Sequence, residues 1–205
     1  MAQNKAKNKS RKIRLFPIVM LLILVGCLCV AYHFDTISQE LKKVSPSRFT
    51  YPVKYEELVL KNAEEFDIDP AFVYAIIHTE SHFDPEATSE VGARGLMQLM
   101  PEAYNWVKYR LDDNESKSFD DMYTPEHNIR YGTYMLKYLY DRYDNYQIAA
   151  AAYHGGMGAV DGWIEDGTIS KEKFNVSDIP SDVTQNYVNK VTKAYKKYKE
   201  ILEND

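Results

Sequence analysis

Cysteine is nearly absent: 205 residues contain two, Cys27 and Cys29, both near the N-terminus. That excludes a disulfide-built scaffold. Nine glycines and eight prolines are too few for a collagen-like or low-complexity chain. A basic surplus is also missing. Lys and Arg number 25 against 30 Asp and Glu, a formal net charge of -5, which speaks against a nucleic-acid binder. No stretch alternates convincingly as a strand, and no internal repeat is found. Tryptophan is scarce at two, whereas tyrosine is abundant at 17. Tyrosine's flat apolar ring and polar tip suit grooves for polar, ring-shaped ligands.

Acidic residues are missing from the first 34 positions, where six Lys and Arg stand. The N-terminal segment therefore carries about +6 and the rest, with 19 basic against 30 acidic residues, about -11. Leu15 to Phe34 contains no formally charged residue. Twenty helical residues at about 1.5 Å each span roughly 30 Å, the thickness of a bilayer core. The expected organisation is a cytoplasmic basic segment (1–14), a transmembrane signal anchor (15–34), an extracytoplasmic stalk (35–50) and a core domain (51–205). A cleaved secretory signal fits less well, because the apolar run is long and lacks an A-x-A-like site. A minor alternative is a lipoprotein acylated at Cys27, since Leu24-Val25-Gly26-Cys27 resembles a lipobox. All three readings place the core domain outside the membrane.

That domain reads as mainly α. Tyr55, Leu58, Val59 and Phe66 mark a first helix after Pro52. Asp69-Pro70 is a cap followed by proline at the first helical position, leading into Phe72, Val73, Ile76 and Ile77. Pro101 starts a third helix through Tyr104 and Val107, and Thr124-Pro125 repeats the cap signal before a long stretch with Ile129, Met135, Leu136 and Leu139. An alanine-rich segment, Gln147 to Tyr153, breaks at Gly155-Gly156. Pro180 opens a last helix, in which Tyr187, Val191, Ala194, Tyr198 and Ile201 form one apolar stripe. The lysines between Lys190 and Lys199 read as its solvated face.

Glu80 is the residue of chemical interest. On a helix over 70–83 it shares a face with Val73, Ile76 and Ile77, at offsets of seven, four and three. A carboxylate among apolar neighbours is either paired with a cation or kept partly protonated by desolvation. The second case describes a general acid working near neutral pH. His78 and His82 have the i,i+4 spacing of a zinc pair, but the pattern is His-Thr-Glu-Ser-His rather than H-E-x-x-H. Glu80 lies about 200° round the helix from either, so a solvated histidine pair is the simpler reading and no metal is expected.

Downstream, Ser89-Glu90-Val91-Gly92-Ala93-Arg94-Gly95-Leu96-Met97-Gln98-Leu99-Met100-Pro101 follows Glu80-Ser81. Ala152-Tyr153-His154-Gly155-Gly156 and Val183-Thr184-Gln185-Asn186-Tyr187-Val188 come later. In order and type these resemble four motifs of the soluble-lytic-transglycosylase (SLT) type: E-S, S-x-x-G-A-x-G-L-M-Q-x-M-P, A-Y-N-x-G and E-T-x-x-Y-V. The resemblance covers about residues 55 to 200. It implies a lysozyme-like helical domain of the goose-type lysozyme and SLT kind. It also implies cleavage of the β-1,4 bond between N-acetylmuramic acid (MurNAc) and N-acetylglucosamine (GlcNAc) of peptidoglycan, giving 1,6-anhydro-MurNAc ends without a cofactor. By the same resemblance Glu80 is the catalytic acid and then base, Tyr187 lies beside it, and Ser81 is near the cleaved sugar. Ser89, Met97, Gln98, Tyr153 and His154 join Ser81 and Tyr187 as substrate-binding candidates, with Met97 expected in the groove.

Two positions depart from the motifs. His154 stands where the family has Asn, and Val183 where it has Glu, with Asp182 one residue earlier. Two alternatives stay open. A hydrolytic muramidase would need a second carboxylate, for which Asp84, Glu90 and Asp182 are candidates. A weakly catalytic glycan-binding module is the other.

Overall fold

The structure is a computed structural model in which residues 20, 24–26, 29–34, 47–112 and 118–204 are described. The chain divides into two compact units, Met1–Pro46 and Ser47–Asp205. In the first unit, residues 24–26 and 29–34 are helical and exposed. No helix among the described residues is long and apolar enough to cross a membrane. Much of the 15–34 run, including Cys27, and the stalk from 35 to 46 lie outside the described residues.

The second unit is helical. After a single turn at Ser47–Thr50 come α1 (Glu56–Glu65), α2 (Pro70–Glu80), α3 (Pro101–Arg110), α4 (Pro125–Tyr143), α5 (Tyr146–Gly155), α6 (Met157–Glu165) and α7 (Asp182–Leu202). Short 3-10 turns sit at Phe119–Tyr123 and Val176–Asp178. Extended pairing among the described residues is limited to two isolated antiparallel bridges, Thr88 with Arg94 and Arg94 with Leu99.

Helix α2 forms where the sequence signals it. Asp69 accepts the Ala71 N–H at 2.8 Å, and Pro70 occupies the first turn, where no N–H is needed. Every residue from Ala71 to Ile77 is buried, so α2 is a central helix without a solvent face. Helix α7 packs along it, α5 packs on α7 and α4, and α1 closes the other side against α4 and α2. Ala149 to Ala152 are fully buried in α5; their small side chains let neighbouring backbones approach closely. Each large aliphatic or aromatic side chain in this core contributes about 1.5–3 kcal/mol by leaving water.

Helix α2 ends at Glu80, with Ser81 as its C-cap, instead of running to 83, and the elements depart from the sequence expectation in three further places. Helix α7 begins at Asp182, not Pro180, because Ser181 is its N-cap and accepts the Thr184 N–H at 3.3 Å. Thr124 takes the N-cap position of α4, yet its side chain makes no capping bond. Helix α6 has no counterpart in the sequence reading; Gly158 and Gly162 weaken its helical pattern. The lysine reading of α7 agrees with the structure, in which Lys190, Lys193, Lys196 and Lys199 are exposed.

Candidate active site

Glu80 closes α2, and the buried helix carries its side chain to the edge of the core. From α7, the Tyr187 hydroxyl donates to Glu80 Oε1 at 2.6 Å. Burial penalises the carboxylate and pushes the Glu80 pKa up to about 7; the Tyr187 bond pulls it back only in part. Burial likewise holds the Tyr187 and Tyr153 phenols well above their ordinary range, and the Glu80 charge adds to both effects. The two phenols therefore remain neutral donors at any physiological pH. Among the described residues, no carboxylate contributes to the raised Glu80 pKa. Asp84, Glu90 and Asp182 are all exposed, and Asp84 is engaged in a local turn with the Glu86 N–H at 3.0 Å.

The segment between α2 and α3 is folded onto this carboxylate by side-chain bonds. Ser81 Oγ donates to the Leu96 carbonyl at 2.7 Å. Ser89 Oγ accepts the Ala93 N–H at 2.9 Å and closes a turn. Gln98, with φ 46°, donates its amide hydrogens to the Ala87 and Gly95 carbonyls at 3.0 and 2.9 Å; its carbonyl oxygen is the atom available to accept from a ligand. Gly95 has φ 74°, and a Cβ there would collide with the Met122 carbonyl and the Asn128 amide, so the close approach requires glycine.

Asn128, buried near the start of α4, fastens the whole segment. Its amide donates to the Arg94 and Met122 carbonyls at 2.9 and 2.8 Å, and its Oδ1 accepts the Met97 N–H at 2.7 Å. The sequence reading missed it; the only signal was a lone amide inside the apolar pattern of α4. Arg94 stacks over Phe119 and Tyr123, at 4.4 and 5.2 Å from their centroids, and bonds Asp120.

Met97 corrects an expectation. Its side chain is fully buried in the core, against Gly132, where an added Cβ would strike its thioether. It presents no surface to a groove. Only its backbone serves the site, through the Met97 carbonyl, which accepts the Tyr153 hydroxyl at 2.7 Å.

Tyr153 and His154 end α5 beside Tyr187. The His154 ring stacks on the Tyr187 ring with centroids 4.5 Å apart and planes at 26°. Both α5 residues, with Gln98, border a cleft of about 460 Å³ whose far wall is apolar: Met100, Trp106, Met135 and Tyr138. Trp106 and Tyr138 were not singled out from the sequence, because lone aromatics on helices look like core, and Met135 read only as part of the apolar stretch of α4. Val183 points away into solvent at 68% exposure. The zinc reading of His78 and His82 finds the former otherwise engaged. His78 Nε2 lies 3.1 Å from the Thr50 carbonyl, its ring stacks on Tyr51, and His82 has left the helix with φ 52°.

A helical core presenting a half-buried carboxylate close to an aromatic-lined cleft is the arrangement of lysozyme-like domains. The family model "Transglycosylase SLT domain" matches residues 57–175, and the chain belongs to that family. It is 34% identical over 151 residues to the soluble lytic murein transglycosylase of Salmonella typhimurium, covering 72% of this chain and 23% of that one. It is 31% identical over 169 residues to membrane-bound lytic murein transglycosylase C of Haemophilus ducreyi, covering 71% of this chain and 45% of the relative. The solved 70 kDa soluble lytic transglycosylase Slt70 of Escherichia coli superimposes with a TM-score of 0.68 at 29% identity, over 74% of this chain and 25% of that one. The chain thus spans about a quarter of the length of the soluble relatives.

Proposed function

We propose that this chain is a peptidoglycan lytic transglycosylase in which Glu80 acts first as acid and then as base. The observation that carries the reading is Glu80 itself: half-buried at the end of a core helix and hydrogen-bonded by Tyr187 at 2.6 Å, with desolvation pushing its pKa up to about 7. A carboxyl poised there is protonated often enough to give a proton and basic enough to take one back.

Glu80 protonates the oxygen linking MurNAc to GlcNAc, and the C1–O bond breaks. The substrate's N-acetyl group stabilises the oxocarbenium-like centre. The muramoyl 6-hydroxyl attacks C1, and the Glu80 carboxylate takes its proton, which closes the 1,6-anhydro ring and restores the acid. Protons and electrons balance without water, metal or organic cofactor. Glycosidases that admit water rely on a second carboxylate; the sequence candidates for that role, Asp84, Glu90 and Asp182, are all exposed. The apolar cleft and the Gln98, Tyr153 and His154 edge would hold glycan on one side of the scissile bond, with Ser81 and Ser89 fixing the loop rather than touching sugar.

The N-terminal segment completes the proposal. A flank of about +6 followed by 20 uncharged residues supports a single-pass anchor with the N-terminus cytoplasmic and the catalytic domain outside. That would keep the enzyme at the wall. Fractionation of cells expressing the full chain tests it: recovery in the membrane pellet after alkaline carbonate washing is expected, and release into the wash contradicts it. Mass spectrometry of digested peptidoglycan tests the chemistry. Anhydro ends are expected with the wild type and none with Glu80→Gln.

A further inference from the structure

His154 stands where the family pattern has Asn, and its surroundings give the substitution a chemical meaning. Its Nδ1 lies 3.3 Å from Thr184 Oγ1. The Thr184 hydroxyl hydrogen is already directed to Ser181 Oγ at 3.1 Å, so the Thr184 oxygen can only accept. The neutral ring therefore carries its proton on Nδ1 and a lone pair on Nε2. Stacking on Tyr187 fixes the ring plane, Thr184 occupies the Nδ1 side, and His154 lines the cleft. An asparagine offers both a donor and an acceptor; this imidazole offers the cleft an acceptor alone.

We propose that His154 is a specificity-determining residue whose Nε2 accepts a hydrogen bond from an N–H or O–H of the bound glycan, a contact that protonation abolishes. This rests on the transglycosylase reading only for the identity of the ligand. The imidazolium has no acceptor nitrogen, so it meets a glycan donor with another donor. Burial lowers the His154 pKa from 6.5; the neutral form prevails at neutral pH, and the contact is lost on acidification.

Several ionisable groups face His154. Tyr187 lies under the ring, with Glu80 behind it on α2. Tyr153 precedes it on α5, and Tyr138 of α4 and Glu102 of α3 line the same cleft. Asp182, in the first turn of α7, is exposed. No charge among them shifts His154, whose pKa is lowered by burial alone. Glu80, its pKa pushed up to about 7, titrates in the same range, and the experiment must remove it.

The test is therefore made in the full chain carrying Glu80→Gln, with a peptide-free GlcNAc-MurNAc tetrasaccharide as probe and calorimetry from pH 8 to pH 5. Binding is expected to weaken on acidification through the His154 pKa, by about tenfold in all for the loss of one hydrogen bond, and to become flat with pH when His154→Asn is added. A flat profile with His154 present, parallel profiles in the two proteins, or no binding by either at pH 8 overturns the proposal. Nitrogen-15 spectra of His154 provide an independent reading: an Nδ1-protonated neutral ring is expected, and the Nε2-protonated tautomer overturns it. If pH-dependent binding holds while the wild type cleaves no glycan, the catalytic reading fails and His154 stands; the converse pair of results separates them the other way.

Discussion

The Tyr187 phenol reaches across 107 positions of sequence to donate its hydrogen to Glu80 Oε1 at 2.6 Å. The bond favours the ionised carboxylate, and burial opposes it and wins. Removing the phenol by Tyr187→Phe therefore raises the Glu80 pKa further. A hydrogen bond to a charged group is worth about 1.5–3 kcal/mol, or about one to two pKa units. The alkaline limb of kcat/KM is expected to move upward by that amount, while the maximum falls because Glu80 loses a positioning contact. An unmoved or downward-shifted limb would contradict this assignment.

Glu80 also couples stability to pH. Its folded pKa of about 7 exceeds the unfolded value of 4.5, so the folded state holds more protons between those limits. Stability is fully present below pH 4.5 and declines as pH rises to about 7, by about 3 kcal/mol in total. Glu80→Gln removes that cost. Urea unfolding should find the variant more stable by about 3 kcal/mol at pH 8 and nearly equal to wild type at pH 4.5. Equal stability at pH 8 would mean that Glu80 ionises without penalty.

The three bonds of Asn128 make it the fastener of the segment that carries Ser81, Ser89 and Gln98 toward the site. Asn128→Ala strands buried backbone groups, each costing about 1–3 kcal/mol. A loss of about 3 kcal/mol or more is expected in denaturant unfolding at pH 7, with lowered activity in the fraction that stays folded. An effect under about 0.5 kcal/mol, the range of neutral surface changes, would show that the segment holds itself.

Much of this was legible in the sequence because the signals were redundant. Asp69-Pro70 marks the start of α2 by cap chemistry and by fixed φ together, and the stripe from Tyr187 to Ile201 repeats often enough to define α7. Glu80 was readable because a carboxylate on a wholly apolar face requires a reason. What stayed hidden was non-local. A methionine after a glycine turn looks the same in core and groove, and only Gly132, 35 positions on, decides that Met97 is core. Asn128 is one amide in an apolar stripe, and its three partners come from other segments. Helix α6 was lost because its two glycines mimic a loop.

Met97 offers a direct check of that correction. Met97→Leu conserves volume and should cost under about 1.5 kcal/mol, with glycan cleavage retained. Met97→Ala opens a cavity and should cost about 2–5 kcal/mol, with KM unchanged in the folded fraction. A raised KM with unchanged stability would return Met97 to the groove.

The most direct test of the central claim is mass spectrometry of the muropeptides released from purified peptidoglycan by the full chain, wild type beside Glu80→Gln. The reading of Glu80 as acid and then base predicts 1,6-anhydro-MurNAc ends with the wild type and no new ends with the variant. Reducing MurNAc ends, or undiminished cleavage by Glu80→Gln, would contradict it.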